Sequence, residues 1–454
     1  MQKILPKSLK TLAKCTPVPL YVVGGAVRDH LAGFIPKTPD WDICAPLAAD
    51  EFAKIAEENG FAVRAVYRNT GTVKFLDTDG QGYEYSCFRS DKYVRGIHTP
   101  VEIFFTDDIV LDAKRRDFTA NAVYYDIKAQ RFVDPLLGIP AIREKRLTTV
   151  DDPKKVFGED GLRLMRLARQ AAQLGFTPDE ACLAGARENA SLIRDISPER
   201  IYAELTAILT ADTRYNVKDG HYRGLKILDE TRVLDHILPE LTLGRDMRQR
   251  ADFHKYDVLE HSLRAVLYAT ENTRLAALLH DVGKPYCAFQ FGNFFAHPAE
   301  GERLAREILL RLKAPNKETD NVCRLVRLHM RDFDCRMSEG KLRRLLVQNY
   351  PLLPDLLAVK QADFSACMDN TNAAPTCKRW RALLAKMRAE NVPFTLRELA
   401  VKGNELIELG IPPKHISELL NALLMHTATE PKDNTKERLL RLAVGLAKSL
   451  TEST

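Results

Sequence analysis

The 454-residue chain carries no pair of cysteines at CxxC spacing; its nine cysteines are scattered singly. That excludes a zinc ribbon, argues against a disulfide framework, and leads us to expect reduced thiols in a cytoplasm. No apolar run of about 20 residues occurs, so no membrane-spanning helix is expected. The basic opening MQKILPKSLKTLAKCTPVPL lacks an unbroken apolar core and a small-residue cleavage site, so no secretory signal is expected there. Internal repeats and long low-complexity tracts are also lacking, which excludes a solenoid or array. Neither sign of charge dominates: Lys and Arg number 67 and Asp and Glu 61, a net of +6. That permits a polyanionic partner without requiring one. What remains is a chain with 45% hydrophobic and 28% charged residues, ordinary for a globular protein and long enough for about three domains.

Residues 20 to 147 read as one compact mixed domain. LYVVGG is a short apolar strand ending in a glycine pair. WDICA, GTVKFLD, YEYSCF and RFVDPLLG are further strands, and DEFAKIAEENG is a helix between them. After residue 148 the texture becomes helical. Leu162, Met165, Leu167 and Leu174 recur at helical spacing. SPER predicts a helix start with Ser197 as N-cap and Pro198 at the first helical position. The weak stretches 241–250, 368–377 and 389–395 mark boundaries. The expected class is α+β: a head with a small mixed sheet and helices (1–147), then an all-α neck (148–241), a body (242–377) and a tail (378–454).

Gly24-Gly25 lies between a strand and a helical stretch. Glycines there let backbone N–H groups approach an anion, and the helix N-terminus favours negative charge. Arg28 stands one turn further on as a forked phosphate donor. Asp40 and Asp42, at i and i+2 of a strand, share a face while Trp41 packs behind. Two adjacent carboxylates repel unless a divalent cation lies between them. A two-metal site would call for a third, and Glu84 is the choice, the alternative being a surface glutamate on an edge strand. In KRRDFTANA, Arg116 and Asp117 are either a solvated helix start or holders of a nucleotide's ribose and phosphates. If GEDGLRLMRLAR is helical, Asp160, Arg163, Arg166 and Arg169 share one face. They form either a salt-bridge ladder or a set of donors and acceptors for nucleobase edges.

Jointly, LYVVGGAVRDHLAG, DWD, YEYSCF, KRRDFTANA with DPLLG, and GEDGLRLMRLAR resemble the class II tRNA nucleotidyltransferases (CCA-adding enzymes) and the bacterial poly(A) polymerases. SPERIYAEL and ILPEL extend the likeness over about residues 20 to 241. FTLRELAVKGNELIELGI resembles the tRNA-facing tail of part of that family. The resemblance implies that Asp40 and Asp42 ligate two magnesium ions, with Glu84 the third acidic group. It implies that Gly24, Gly25 and Arg28 hold the triphosphate, and that Arg116, Asp117 and Asn121 surround the sugar and phosphates. Asp160 and Arg163 would pair with incoming C or A, with Arg166 in support. The implied reaction is attack of a tRNA 3′-hydroxyl on the α-phosphate of CTP or ATP. Gly161 and Gln170 depart from the family, which often has Pro and an aromatic there. FRSDKYVRGIHTP, with Asp91, Arg95 and Pro100, resembles the flexible loop of members that add the final A.

Further on, His261, His280-Asp281, His297, His329 and Asp363 run in the order H…HD…H…H…D, with Gly-Lys after the pair. His280 and Asp281 offer an imidazole and a carboxylate to one divalent metal, transition metal or Mg2+. His261 and Asp363 close the shell, and His297 and His329 serve a second metal or a phosphate. The stretch resembles the HD phosphohydrolase superfamily, which implies phosphatase, 2′-nucleotidase or 2′,3′-cyclic phosphodiesterase activity. KLRR (341–344), the run 377–388, and Arg324, Arg327 and Arg331 are either solvated faces or contacts to a phosphate backbone. Trp380 either stacks on a base or packs. The expectation is CCA addition to tRNA. The alternatives are poly(A) polymerase, partial (CC-only or A-only) addition, or an HD phosphohydrolase whose head only binds nucleotides.

Overall fold

The structure, a computed structural model, describes residues 1–35, 40–94 and 100–452. Arg95 of the expected flexible loop lies outside the described residues. The chain divides into two compact units, residues 1–242 with 311–314, and residues 243–310 with 315–454.

The first unit opens on a sheet. Nine strands lead into it: β1 (Tyr21–Val23), β2 (Asp42–Ala45), β3 (Ala62–Tyr67), β4 (Thr72–Leu76), β5 (Gly82–Cys87), β6 (Arg89–Lys92), β7 (Glu102–Phe105), β8 (Tyr124–Asp126) and β9 (Arg131–Val133). Seven form a mixed sheet in the order β3-β4-β5-β2-β1-β8-β9. Within this sheet only β2 and β5 pair in parallel; such a pair needs a crossover, here the helix Ala49–Glu58 followed by β3 and β4. In β5 the side chains alternate, with Tyr83, Tyr85 and Cys87 buried. Phe52 of the crossover helix stacks on Tyr85 with ring centroids 3.7 Å apart. Alternation therefore places Glu84 on the opposite, exposed face of the sheet. The start of the FRSDKYVRGIHTP segment is not loop: β6 pairs antiparallel with β7, which follows the segment, in a separate two-stranded sheet.

Helices follow, including Pro153–Glu159, Leu162–Leu174 and Pro198–Leu209. Ser197 occupies the predicted cap position, but its hydroxyl makes no cap hydrogen bond. The 158–169 stretch is not one helix. Asp160 is extended (φ −145, ψ 107) between the first two helices, so the expected ladder starts only at Arg163. At the junction a Cβ on Gly161 would lie 2.5 Å from the Leu192 carbonyl oxygen, which leaves no room for a side chain there.

The second unit is all helical. Val258–Tyr268 packs on Leu353–Met368 through a seam of Ala265, Ala269, Ala277, Ala362 and Ala366. Small side chains let these helices approach closely, which brings histidines of different helices within reach of one another. Trp380 is fully buried and donates its indole N–H to Asp332 at 2.9 Å, so it packs. Much of the basic run is paired internally: Arg379 holds Asp332, and Arg343 holds Glu339 and Glu390.

Candidate active site and metal centre

In the first unit β1 ends at Gly24, whose backbone is in a region that favours glycine (φ 77). A Cβ there would meet Asp42 Oδ2 at 2.9 Å. The turn into the helix Gly25–Ala32 thus passes directly over the Asp42 carboxylate. Asp42 opens β2 and sits in register with Glu84 on β5. Asp40 precedes the strand, with Trp41 buried between the two aspartates. Burial pushes the Asp42 carboxyl up to about 6, with repulsion from Asp40 and Glu84 adding and Arg116 and Arg166 opposing. The structure therefore brings Asp40, Asp42 and Glu84 into one another's field, with Lys74 Nζ 3.5 Å from Glu84. A carboxylate group that destabilises its own charge fits a divalent cation.

Arg28 is buried, and its guanidinium is already engaged. It donates to Asp29 Oδ1 at 2.9 and 2.6 Å and to Asn121 Oδ1 at 2.8 Å. The Asn121 amide donates in turn to Asp117 (2.8 Å) and Gln170 (3.1 Å), and Arg166 Nε donates to Asp117 at 2.7 Å. Arg28, Asn121, Asp117, Gln170 and Arg166 form one connected network. Burial alone would raise the Asp117 carboxyl, but Arg166, Asn121 and the Phe118 amide outweigh it and hold it well below the usual range. Gln170 thus fills a polar role that an aromatic could not. Arg116 belongs to a second group, donating to Asp112 (3.0 Å) and to the Tyr124 hydroxyl (3.2 Å). Burial would raise Asp112, but Arg116 and Arg115 bring it down to about 2. Asp112 and Tyr124 were not singled out from the sequence. Tyr124 reaches Asp112 and Arg116 from another element, whereas Asp112 pairs with Arg115 and Arg116 at i+3 and i+4, a local spacing that could have marked it.

Asp160 Oδ1 accepts from the Leu162 amide at 2.9 Å and so starts the following helix. Arg163 is 4% exposed. It donates to the Val156 carbonyl, Glu159 and the Arg115 carbonyl at 2.9, 2.9 and 2.8 Å, and lies 5.5 Å from the Tyr93 ring centroid. For Arg163 to pair with a base, its guanidinium must exchange these partners. Asp91 is held by Arg89 at 2.9 Å.

In the second unit the six predicted residues converge. His261 Nε2 lies 3.1 Å from both His280 Nε2 and Asp363 Oδ1, and His297 Nε2 lies 3.2 Å from His329 Nε2. Asp281 stands between the two groups. Its Oδ2 is 3.3 and 3.2 Å from His261 and His280. Its Oδ1 is 3.3 and 3.7 Å from His297 and His329. Lys284 adds an ion pair to Oδ2 at 2.6 Å. His280, His297 and His329 each have Nδ1 on the carbonyl three residues earlier, which fixes the proton there and turns a bare Nε2 inward. Two bare nitrogens 3.2 Å apart have no proton to share; a cation between them satisfies both. The donor set fits divalent ions: one would be held by His261, His280 and Asp363, another by Asp281, His297 and His329. His254, beside His261 with ring centroids 4.9 Å apart, was missed from sequence.

A model of the Poly A polymerase head domain matches residues 20–148. A model described as the probable RNA and SrmB-binding site of polymerase A matches 175–243, and an HD domain model matches 258–363. An A-adding tRNA nucleotidyltransferase of Deinococcus radiodurans is 29% identical over 425 residues, 88% of this chain and 90% of that protein. The CCA-adding enzyme of Levilactobacillus brevis is 34% identical over 197 residues, 42% of this chain and 46% of the relative. With that enzyme the match spans about half its length. Among solved structures, the Bacillus stearothermophilus CCA-adding enzyme in complex with CTP superposes with a TM-score of 0.65 at 23% identity, covering 99% of this chain and 100% of that one. The Thermotoga maritima CCA-adding enzyme complexed with tRNA gives 0.61 at 18%, covering 98% and 96%. At such identities the likeness is one of fold.

Proposed function

The chain belongs to the family of tRNA nucleotidyltransferases and poly(A) polymerases, enzymes of the nucleotidyltransferase class, and on that premise we propose that it adds CCA to the 3′ end of tRNA from CTP and ATP. The observation that carries this reading is the trio Asp40, Asp42 and Glu84 beneath the Gly24 turn. The three carboxylates would hold two Mg2+ ions, which supply activation of the attacking 3′-hydroxyl and neutralise charge on the triphosphate. The amides after Gly24 and Gly25 cradle the triphosphate. The Arg28–Asn121–Asp117–Arg166 network positions the sugar and phosphates, with Arg116 near the metals. Asp160 and Arg163, the latter after releasing its present partners, read the base edge. Selection by side chains is why no nucleic-acid template is needed. In this reading residues 1–147 catalyse, 148–241 select the base, 242–377 form the HD unit and 378–454 bind tRNA. A tRNA-acting enzyme whose described residues include no helix long and apolar enough to cross a membrane fits a cytoplasmic location.

Asp42→Asn tests this reading. Nucleotide addition should fall roughly a thousandfold, because the loss of a metal ligand removes several kcal/mol of transition-state stabilisation. tRNA binding should persist. Addition at the wild-type rate would sink the assignment.

A second reading within the class is A-only addition. It is favoured by the relative that aligns along nearly the whole chain, whose name specifies A addition. For the second unit we propose a metal-dependent phosphohydrolase side activity on phosphate esters, supported by the convergence of the six HD residues on Asp281.

A further inference from the structure

The histidine–aspartate cluster has one irregular member. Three of its histidines have Nδ1 on a backbone carbonyl. His261 does not; it is 1% exposed, and its Nδ1 is buried with no hydrogen-bond partner. Its Nε2 already faces His280 and Asp363, so Nδ1 is the atom it offers on its other side. His254 stands there, its ring nearly perpendicular (88°) to that of His261, and its own Nδ1 is likewise buried without a partner. Cys367 completes the group from the helix Leu353–Met368, one turn beyond Asp363. His254, His261 and Cys367 each bring a ligand atom within 4.8 Å of the others. Two unpartnered buried imidazole nitrogens are costly as they stand, and the thiol beside them is held by the Asp363 carbonyl at 3.3 Å. Neighbouring charge does not forbid a cation: Lys284 is neutralised on Asp281 at 2.6 Å, and the Asp363 carboxylate is close by.

We propose that His254, His261 and Cys367 form a further cation position, selective for a soft or borderline divalent metal such as Zn2+ or Co2+ because its donor set includes sulfur. It rests on reading the adjoining cluster as a metal centre and extends it, with His261 shared between the two. On binding, the Cys367 S–H bond breaks, a sulfur–metal bond forms, and the thiol proton passes to the buffer. With both positions filled, His261 would lose its remaining ring proton to the buffer and would serve each position through one of its two ring nitrogens. The position would add a sulfur-containing donor set beside a phosphohydrolase centre that offers only oxygen and nitrogen donors.

Cobalt separates the two sites, because only this position contains sulfur. Metal-stripped full-length protein would be titrated with Co2+ and followed by absorbance. Visible ligand-field bands report cobalt bound at either position, and a near-ultraviolet sulfur-to-cobalt charge-transfer band reports Cys367. We expect both in the wild type. Cys367→Ser and His254→Ala should lose the charge-transfer band, keep the ligand-field bands and bind one equivalent less metal by elemental analysis. Circular dichroism would confirm that both variants fold. Ligand-field bands without the charge-transfer band in the wild type, or a charge-transfer band that survives Cys367→Ser, would overturn the proposal while leaving the adjoining centre intact. No cobalt absorption of either kind would overturn both.

Discussion

Asp42 and Asp112 lie in the same unit, one at the start of β2 and one in a helix, yet their surroundings drive them in opposite directions. Asp42 is buried beside other carboxylates and rises to about 6. Asp112 is fully buried among Arg115, Arg116 and the Tyr124 hydroxyl, and falls to about 2. The first is a carboxylate that its neighbours destabilise, the second a balanced anchor that holds Arg116 in place. The anchor makes a stability prediction. A carboxyl whose pKa is depressed in the fold contributes stability that is present above the unfolded value of about 3.9 and is lost as pH falls toward the folded value. Asp112→Asn should therefore cost about 2 kcal/mol at pH 7. In denaturant titrations the gap to wild type should narrow between pH 5 and pH 3. A constant gap across that range would mean that the charge of Asp112 is not what stabilises the site.

At the scale of elements, the strand–turn–helix from β1 through Gly24 sets the site, because it lays backbone amides over Asp42. Gly24→Ala would put a Cβ against Asp42 Oδ2 and strain a backbone at φ 77. Nucleotide addition should fall by at least about tenfold through weaker triphosphate binding, with a cost of about 1 kcal/mol or more from the positive φ. Unchanged KM for CTP and ATP would remove the turn from the binding site. These parts were legible in the sequence because they rest on local rules: the glycine pair after a strand, Trp41 between two aspartates, and the alternation that turns Glu84 away from Tyr83 and Tyr85. What was not legible depends on partners distant in sequence. β8 is buried at every position, so it has no alternation to reveal it, and it follows a basic stretch that reads as a helix start. The break at Asp160, where the backbone turns extended between two helices, is one that no helical periodicity could announce. His254 looked like one histidine among basic residues until the fold set it against His261.

For the whole molecule, in the proposed reading each of two compact units has its own chemistry and its own side chains: carboxylates beneath a glycine turn in one, imidazoles around the Asp281 carboxylate in the other. The sites should therefore be separable. His280→Ala should leave nucleotide addition within about twofold of wild type and abolish hydrolysis of phosphate ester substrates. If addition collapsed in a folded His280→Ala protein, the two sites would depend on each other.

The central claim is complete CCA addition, and one measurement meets it most directly. Purified protein with Mg2+ would receive tRNA transcripts ending before CCA, after C and after CC, each with CTP, ATP or both, and the products would be sized at single-nucleotide resolution. The account predicts growth to CCA and arrest there on all three. Addition of a single A only to the transcript ending in CC would move the enzyme to A-only addition, long A tails would make it a poly(A) polymerase, and no addition to any transcript would contradict the account outright.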